Sequence, residues 1–165
     1  MAKTYEAIST TTLGSNTASV TFSSIPSTYT DLVVVMNGGC TAAESIGIRF
    51  NSDSGSNYSS TILAGSGSSA SSGRNSSQTG MVTATNGYWT NDLNSNSILF
   101  VQSYANTNVY KTALSRSNNA GIGLDAIVGL WRSTSAINTI YLYGFYSGHS
   151  FKSGSTFSLF GVKAA

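Results

Sequence analysis

The chain has 165 residues, 40% of them hydrophobic and only 8% charged, with a formal net charge of +2. That length supports one domain with a sizeable core, and the apolar content excludes a disordered chain. Charge is far below the roughly one-quarter share of an ordinary domain. The surface must therefore be covered largely by Ser, Thr, Asn and Gly, with little charge repulsion opposing close packing against copies of itself.

The first predicted strand covers residues 4–12, rich in Thr around Tyr5 and Ile8, and ends at Gly14-Ser15-Asn16. Residues 18–25 alternate Ala18, Val20 and Phe22 with Ser and Thr, the pattern of a half-buried strand. Pro26 opens a turn. Asp31-Leu32-Val33-Val34-Val35-Met36 follows as the most continuously apolar run, expected in the middle of a core. It stops at Asn37-Gly38-Gly39. In residues 45–51, Ile46, Ile48 and Phe50 share one face, with Gly47 and Arg49 on the other. A short strand is expected over 58–64.

The stretch 65–80 is almost entirely Ser, Gly, Asn, Thr and Gln around Arg74, and reads as a flexible loop. Residues 81–93 carry Met81, Val82, Tyr88, Trp89 and Leu93, with Asn86-Gly87 as an expected turn. Strands follow at 98–104, 109–117 and 126–131. The tail, 136–162, reads as two β-rich runs joined by a turn through Gly148 and Gly154, with 30–36 as their partner. The sum is roughly nine to eleven short antiparallel strands, an all-β chain, and a two-sheet jelly-roll-like β-sandwich spanning 1–165 as a single domain.

Residues able to carry chemistry are few. The basic residues Lys3, Arg49, Arg74, Lys111, Arg116, Arg132, Lys152 and Lys163 are scattered singly, which argues against nucleic-acid binding. The one histidine, His149, lies in a Gly/Ser loop, and no serine occupies a nucleophile elbow. Six acids (Glu6, Asp31, Glu44, Asp53, Asp92, Asp125) form no recognisable catalytic pair. The segment 51–57 has oxygen ligands at alternate positions, as in part of a calcium loop, but lacks the closing Glu and reads as a hairpin turn. Cys40 alone builds neither an internal disulfide nor a cysteine metal site, and reads as a quiet thiol. Most aromatics lie in strands and read as core or cross-strand pairs. Tyr88-Trp89 is the exception, in a turn-rich segment where a carbohydrate or protein contact is conceivable. The start of the chain lacks the apolar core of a signal peptide, and no window is apolar enough to span a membrane. No catalytic residue, cofactor, metal, membrane or small-molecule substrate is therefore expected.

Two stretches resemble small virion proteins of tailed bacteriophages, including phages of cyanobacteria. The first begins at Tyr5-Glu6-Ala7-Ile8 and includes Phe22-Ser23-Ser24-Ile25-Pro26-Ser27-Thr28-Tyr29-Thr30-Asp31-Leu32, joined by Ile48-Arg49-Phe50-Asn51 and Asn57-Tyr58. The second is Gly154-Ser155-Thr156-Phe157-Ser158-Leu159-Phe160-Gly161-Val162. Residues 65–135 carry no resemblance. The resemblance implies a non-enzymatic β-sandwich protein, made in the host bacterial cytoplasm and placed on the capsid exterior. It implies a capsid decoration (cement) protein, with the major capsid protein and copies of itself, a trimer or dimer, as partners. The N-terminal segment and the 65–80 stretch are the expected contacts. The alternative is a tail- or fibre-associated module binding host surface glycan.

Overall fold

A computed structural model describes residues 4–163. Twelve strands and no helix form two antiparallel sheets among these residues. They are β1 (Tyr5–Thr12), β2 (Ser19–Phe22), β3 (Asp31–Gly38), β4 (Glu44–Phe50), β5 (Tyr58–Gly65), β6 (Ala70–Gln78), β7 (Met81–Trp89), β8 (Ser95–Gln102), β9 (Lys111–Asn119), β10 (Gly123–Trp131), β11 (Ile140–Gly144) and β12 (Thr156–Val162). The large sheet runs β1-β12-β3-β8-β9-β10-β5-β6 and the small one β2-β11-β4-β7. The expected two-sheet sandwich is what the chain forms.

The apolar strand β3 lies inside the large sheet between β12 and β8. Leu32, Val34 and Met36 point into the core and are fully buried. The interior joins aromatic pairs from both sheets. Phe50 meets Trp131 with ring centres 5.5 Å apart, and Phe151 meets Phe157 at 4.8 Å. Ridged pairs of this size bury the largest apolar areas available to a side chain.

Three expectations are corrected. Residues 65–80 are not a flexible loop: β6 pairs with β5 from Tyr58↔Gln78 to Gly65↔Ala70. An edge strand needs a hydrogen-bonding partner on one side only, and β6 is exposed along nearly its whole length, so polar residues suit it. Its apolar poverty hid the strand. Asn86-Gly87 does not end a strand either. β7 runs through it, with Gly87 at φ 65° where the ladder to β4 shifts register. Finally, the tail is no hairpin. β11 pairs with β2 and β4 in the small sheet, while β12 pairs with β1 and β3 in the large one. The connection between them crosses from one sheet to the other.

The sheets are also tied by polar side chains. β7 is an edge of the small sheet, and its backbone groups on the free side are met by the large sheet. Val82 N donates to Ser60 Oγ (3.2 Å), Ser115 Oγ donates to Thr83 O (2.7 Å), Thr85 N donates to Asp125 Oδ2 (2.7 Å), and Ser95 Oγ donates to Tyr88 O (2.5 Å). Unpaired edge groups inside a protein are costly, so this seam fixes β7 against β5, β8, β9 and β10. At the other end of β9, Lys111 is fully buried. Its ammonium donates to the carbonyls of Asn106 (2.6 Å), Val109 (2.9 Å) and Thr134 (3.0 Å), and burial lowers its pKa.

Candidate functional site

Strands β8, β9 and β10 alternate strictly, but the apolar side chains do not all face inward. β9 buries Lys111, Ala113, Ser115, Ser117 and Asn119 and exposes Leu114; β10 buries Asp125 along with Ile127 and Trp131 and exposes Leu124 and Val128. Cross-strand register sets Phe160, Val33, Phe100, Leu114 and Val128 side by side on the outer face of the large sheet. Five strands at ~4.8 Å spacing make this an apolar row roughly 19 Å across. A parallel row adds Val35, Ile98, Ala126 and Leu63 around Arg116.

Leu63, Leu114, Leu124 and Val128 are 60%, 48%, 57% and 55% exposed. Scattered single hydrophobics are ordinary, whereas contiguous ones in this number mark a contact surface. Among the described residues, the charged groups in register with this face are Asp31, Arg74 and Arg116. Shallow depressions of about 450, 300 and 360 Å³ lie along it. They are lined respectively by 118–124 with Gly65 and Arg116, by Ile98, Phe100, Leu114 and Ala126, and by Tyr5, Asp31, Phe100 and Val162. Such a surface offers shape and apolar area to a protein partner, and no nucleophile, acid–base pair or ligand set.

The residues singled out from sequence fall elsewhere. Tyr88 and Trp89 are 2% and 0% exposed, so they form no surface for glycan; Trp89 stacks on Phe157 and donates Nε1–H to Ser97 Oγ. Strand β7 turns them inward over the large sheet, which a turn-rich reading of that segment missed. Tyrosines expected as core or cross-strand pairs reach the surface instead: Tyr110 and Tyr146 are exposed, as is Tyr5, and Tyr141 and Tyr143 are half-buried. Tyr141 stacks on Tyr143 at 5.4 Å, Arg49 lies 4.6 Å over the Tyr143 ring, and Tyr143 packs over Gly47. His149 is held in its loop by its backbone N–H, which donates to Glu44 Oε2 at 3.0 Å. The buried Glu44 carboxylate also accepts from the N–H groups of Ser45, Tyr146 and Ser147.

Asp53 organises the 51–57 turn. It accepts from Gly55 N, Asn57 Nδ2 and Trp131 Nε1, the last at 2.7 Å. Burial acts to raise its pKa, but the donors, led by Trp131, outweigh it and hold the carboxyl below its usual value. Those oxygens serve the turn and the core tryptophan. No three metal-binding side chains gather among the described residues. Cys40 is buried, and desolvation, then the nearby Glu44 charge, push its pKa up to about 12. A thiol so placed is a poor nucleophile.

No protein-family model and no curated protein matches the sequence. Among solved structures, the chain is similar to a toad ovary galectin in complex with thio-digalactose (10% identity, 86% of this chain and 98% of that one, TM-score 0.40). It is also similar to the Caenorhabditis elegans galectin LEC-6 (11% identity, 90% and 94%, TM-score 0.38). A mouse laminin alpha1 LG4-5 structure shares 15% identity over 91% of this chain and 40% of that one, with TM-score 0.37.

Proposed function

We propose that this chain is a structural protein of a tailed-phage particle, a capsid decoration protein. It would bind the outside of the shell and strengthen contacts between major capsid subunits. The observation that carries the reading is the outer face of the large sheet, apolar and nearly uncharged around Leu114 and Val128. Specific protein interfaces bury about 800 Å² per partner, with few charges at the centre. The sequence resemblance in β1–β4 and β12 supports the same reading. The major capsid protein is the proposed occupant of this face, and self-association into a trimer or dimer is the accompanying proposal.

The test is quantitative mass spectrometry of purified particles, together with binding of the purified chain to particles that lack it. A copy number near that of the capsid subunit, or a simple lattice fraction of it, supports a shell position. Binding lost in Leu114→Asp, with an unchanged fold, supports the outer face as the contact. A handful of copies per particle moves the protein to the tail, and absence from particles overturns the reading.

A further inference from the structure

The two sheets differ in width, eight strands against four, so the β5–β6 ribbon projects past β7, the last strand of the small sheet. Its inner face and the loop after β11 enclose a cleft of about 210 Å³. Asn75 and Ser71 line the β6 side, Ile62 and Ala64 the β5 side, Thr85 comes from β7, and Tyr146 forms the remaining wall. We propose that this cleft binds one neutral pyranose unit of a carbohydrate.

Three observations carry the inference. The first is size: ligand sites for drug-sized molecules run from about 300 Å³ upward, so this cleft suits a single small ring. The second is chemistry. A sugar has an apolar C–H face and a rim of hydroxyls, and it needs an aromatic plane beside paired donors and acceptors. Tyr146 is 65% exposed and set edge-on to Phe145 at 4.8 Å and 86°, leaving an aromatic surface beside the hydroxyls and amide of the β6 wall. The β5 and β6 residues on the inner face here, Ile62, Ala64, Ser71, Gly73 and Asn75, are uncharged, which suits a neutral sugar; Arg74, which borders the cleft, belongs by register to the outer face with Thr61 and Val128.

The third is preorganisation. Tyr146 stands on a loop whose N–H groups at 146, 147 and 149 all donate to the buried Glu44 carboxylate. A wall fixed in advance does not spend binding energy on ordering itself. On the opposite side Gly73 keeps the space open: a Cβ added there meets no atom within 4 Å. The site is separate from the outer face of the large sheet and stands whether or not the capsid reading holds.

The experiment is an amide NMR titration of the full chain with the methyl glycosides of glucose, galactose, mannose and N-acetylglucosamine. Saturable shifts at 73–75 and 146 are expected with one or more of them, in the millimolar range ordinary for a single small ring. Tyr146→Ala should weaken that binding by about tenfold or more, equivalent to ~1.4 kcal/mol. Gly73→Leu, whose side chain enters open space, should abolish it while leaving the rest of the spectrum in place. Should Gly73→Leu not fold, the exposed Tyr146→Ala decides alone. No saturable shift in this region with any of the four sugars, or binding unchanged in these variants, overturns the proposal.

Discussion

β9 and the Asp125 end of β10 differ from the β3–β12 part of the large sheet in what they turn inward. Toward β7 they carry Ser115, Ser117, Asn119 and Asp125, with Lys111 at the far end of β9 and apolar Ala113, Ile127 and Trp131 on the same inner face; outward, Leu114, Leu124 and Val128 stand beside Thr112, Arg116 and Asn118. The β3–β12 part of the sheet turns only apolar side chains inward, with Leu32, Val34, Met36, Phe157 and Leu159 all facing the core, and carries Val33, Val35 and Phe160 on the outer face. The contrast separates two tasks. Apolar burial around β3 and β12 drives folding, since it removes the most hydrocarbon from water. The polar seam under β7 instead fixes position: each of its hydrogen bonds is directional and contributes little net energy, but is costly to leave broken. The apolar residues displaced from that seam lie on the outside, where they are available to a partner.

The sharpest way to break this contrast is Lys111→Met, which leaves three carbonyls without their buried donor. A loss of about 3 kcal/mol in urea unfolding is expected, about 1 kcal/mol for each carbonyl left without its donor. If Lys111→Met unfolds at the same urea concentration as the parent, the Lys111 hydrogen bonds do not hold the loops at 106–109 and 134 against β9.

Asp125 gives the next effect, and it depends on pH. Burial raises its pKa from 3.8 to about 6, only partly offset by the Thr85 hydrogen bonds, and its Oδ1 meets no partner among the described residues. The folded state then binds this proton more tightly than the unfolded chain does. Stability from this group is fully present below about pH 4 and is lost as pH rises through 6. A shift of about two pKa units corresponds to about 3 kcal/mol. Denaturation curves of the parent should show that decline, and Asp125→Asn, which keeps an acceptor for Thr85, should flatten it. An equal slope in both proteins would remove Asp125 as its source.

Ser115→Ala takes one donor from the seam and leaves Thr83 O unpaired, so it should cost about 1 kcal/mol by the same measurement. Val128→Ser on the outer face should change the isolated chain's stability by no more than about 0.5 kcal/mol. It should nevertheless weaken binding to particles. A large stability loss here would make the outer face part of the fold's own support rather than a surface left for a partner.

Some of this was legible in the residues. Period-two runs separated by Gly, Asn and Ser turns determined an all-β chain. The run of valines at 33–35 determined an interior strand, because a strand apolar at both parities must be covered on both sides. The Asp53 turn was readable too, since Asp bonds its own following backbone wherever it stands. β6 was not, because ladder hydrogen bonds come from the backbone and leave no mark in an all-polar sequence.

The sidedness of β9 and β10 belonged to the tertiary structure alone. Alternation separates Leu114 from Ser115, and Asp125 from Leu124 and Ala126, but does not say which set faces in. That was decided when β7 laid its unpaired backbone edge across the large sheet, and the side chains able to bond that edge had to turn toward it. The tertiary structure likewise put Trp89 inward, left Tyr146 exposed, and placed β11 and β12, adjacent in sequence, in different sheets.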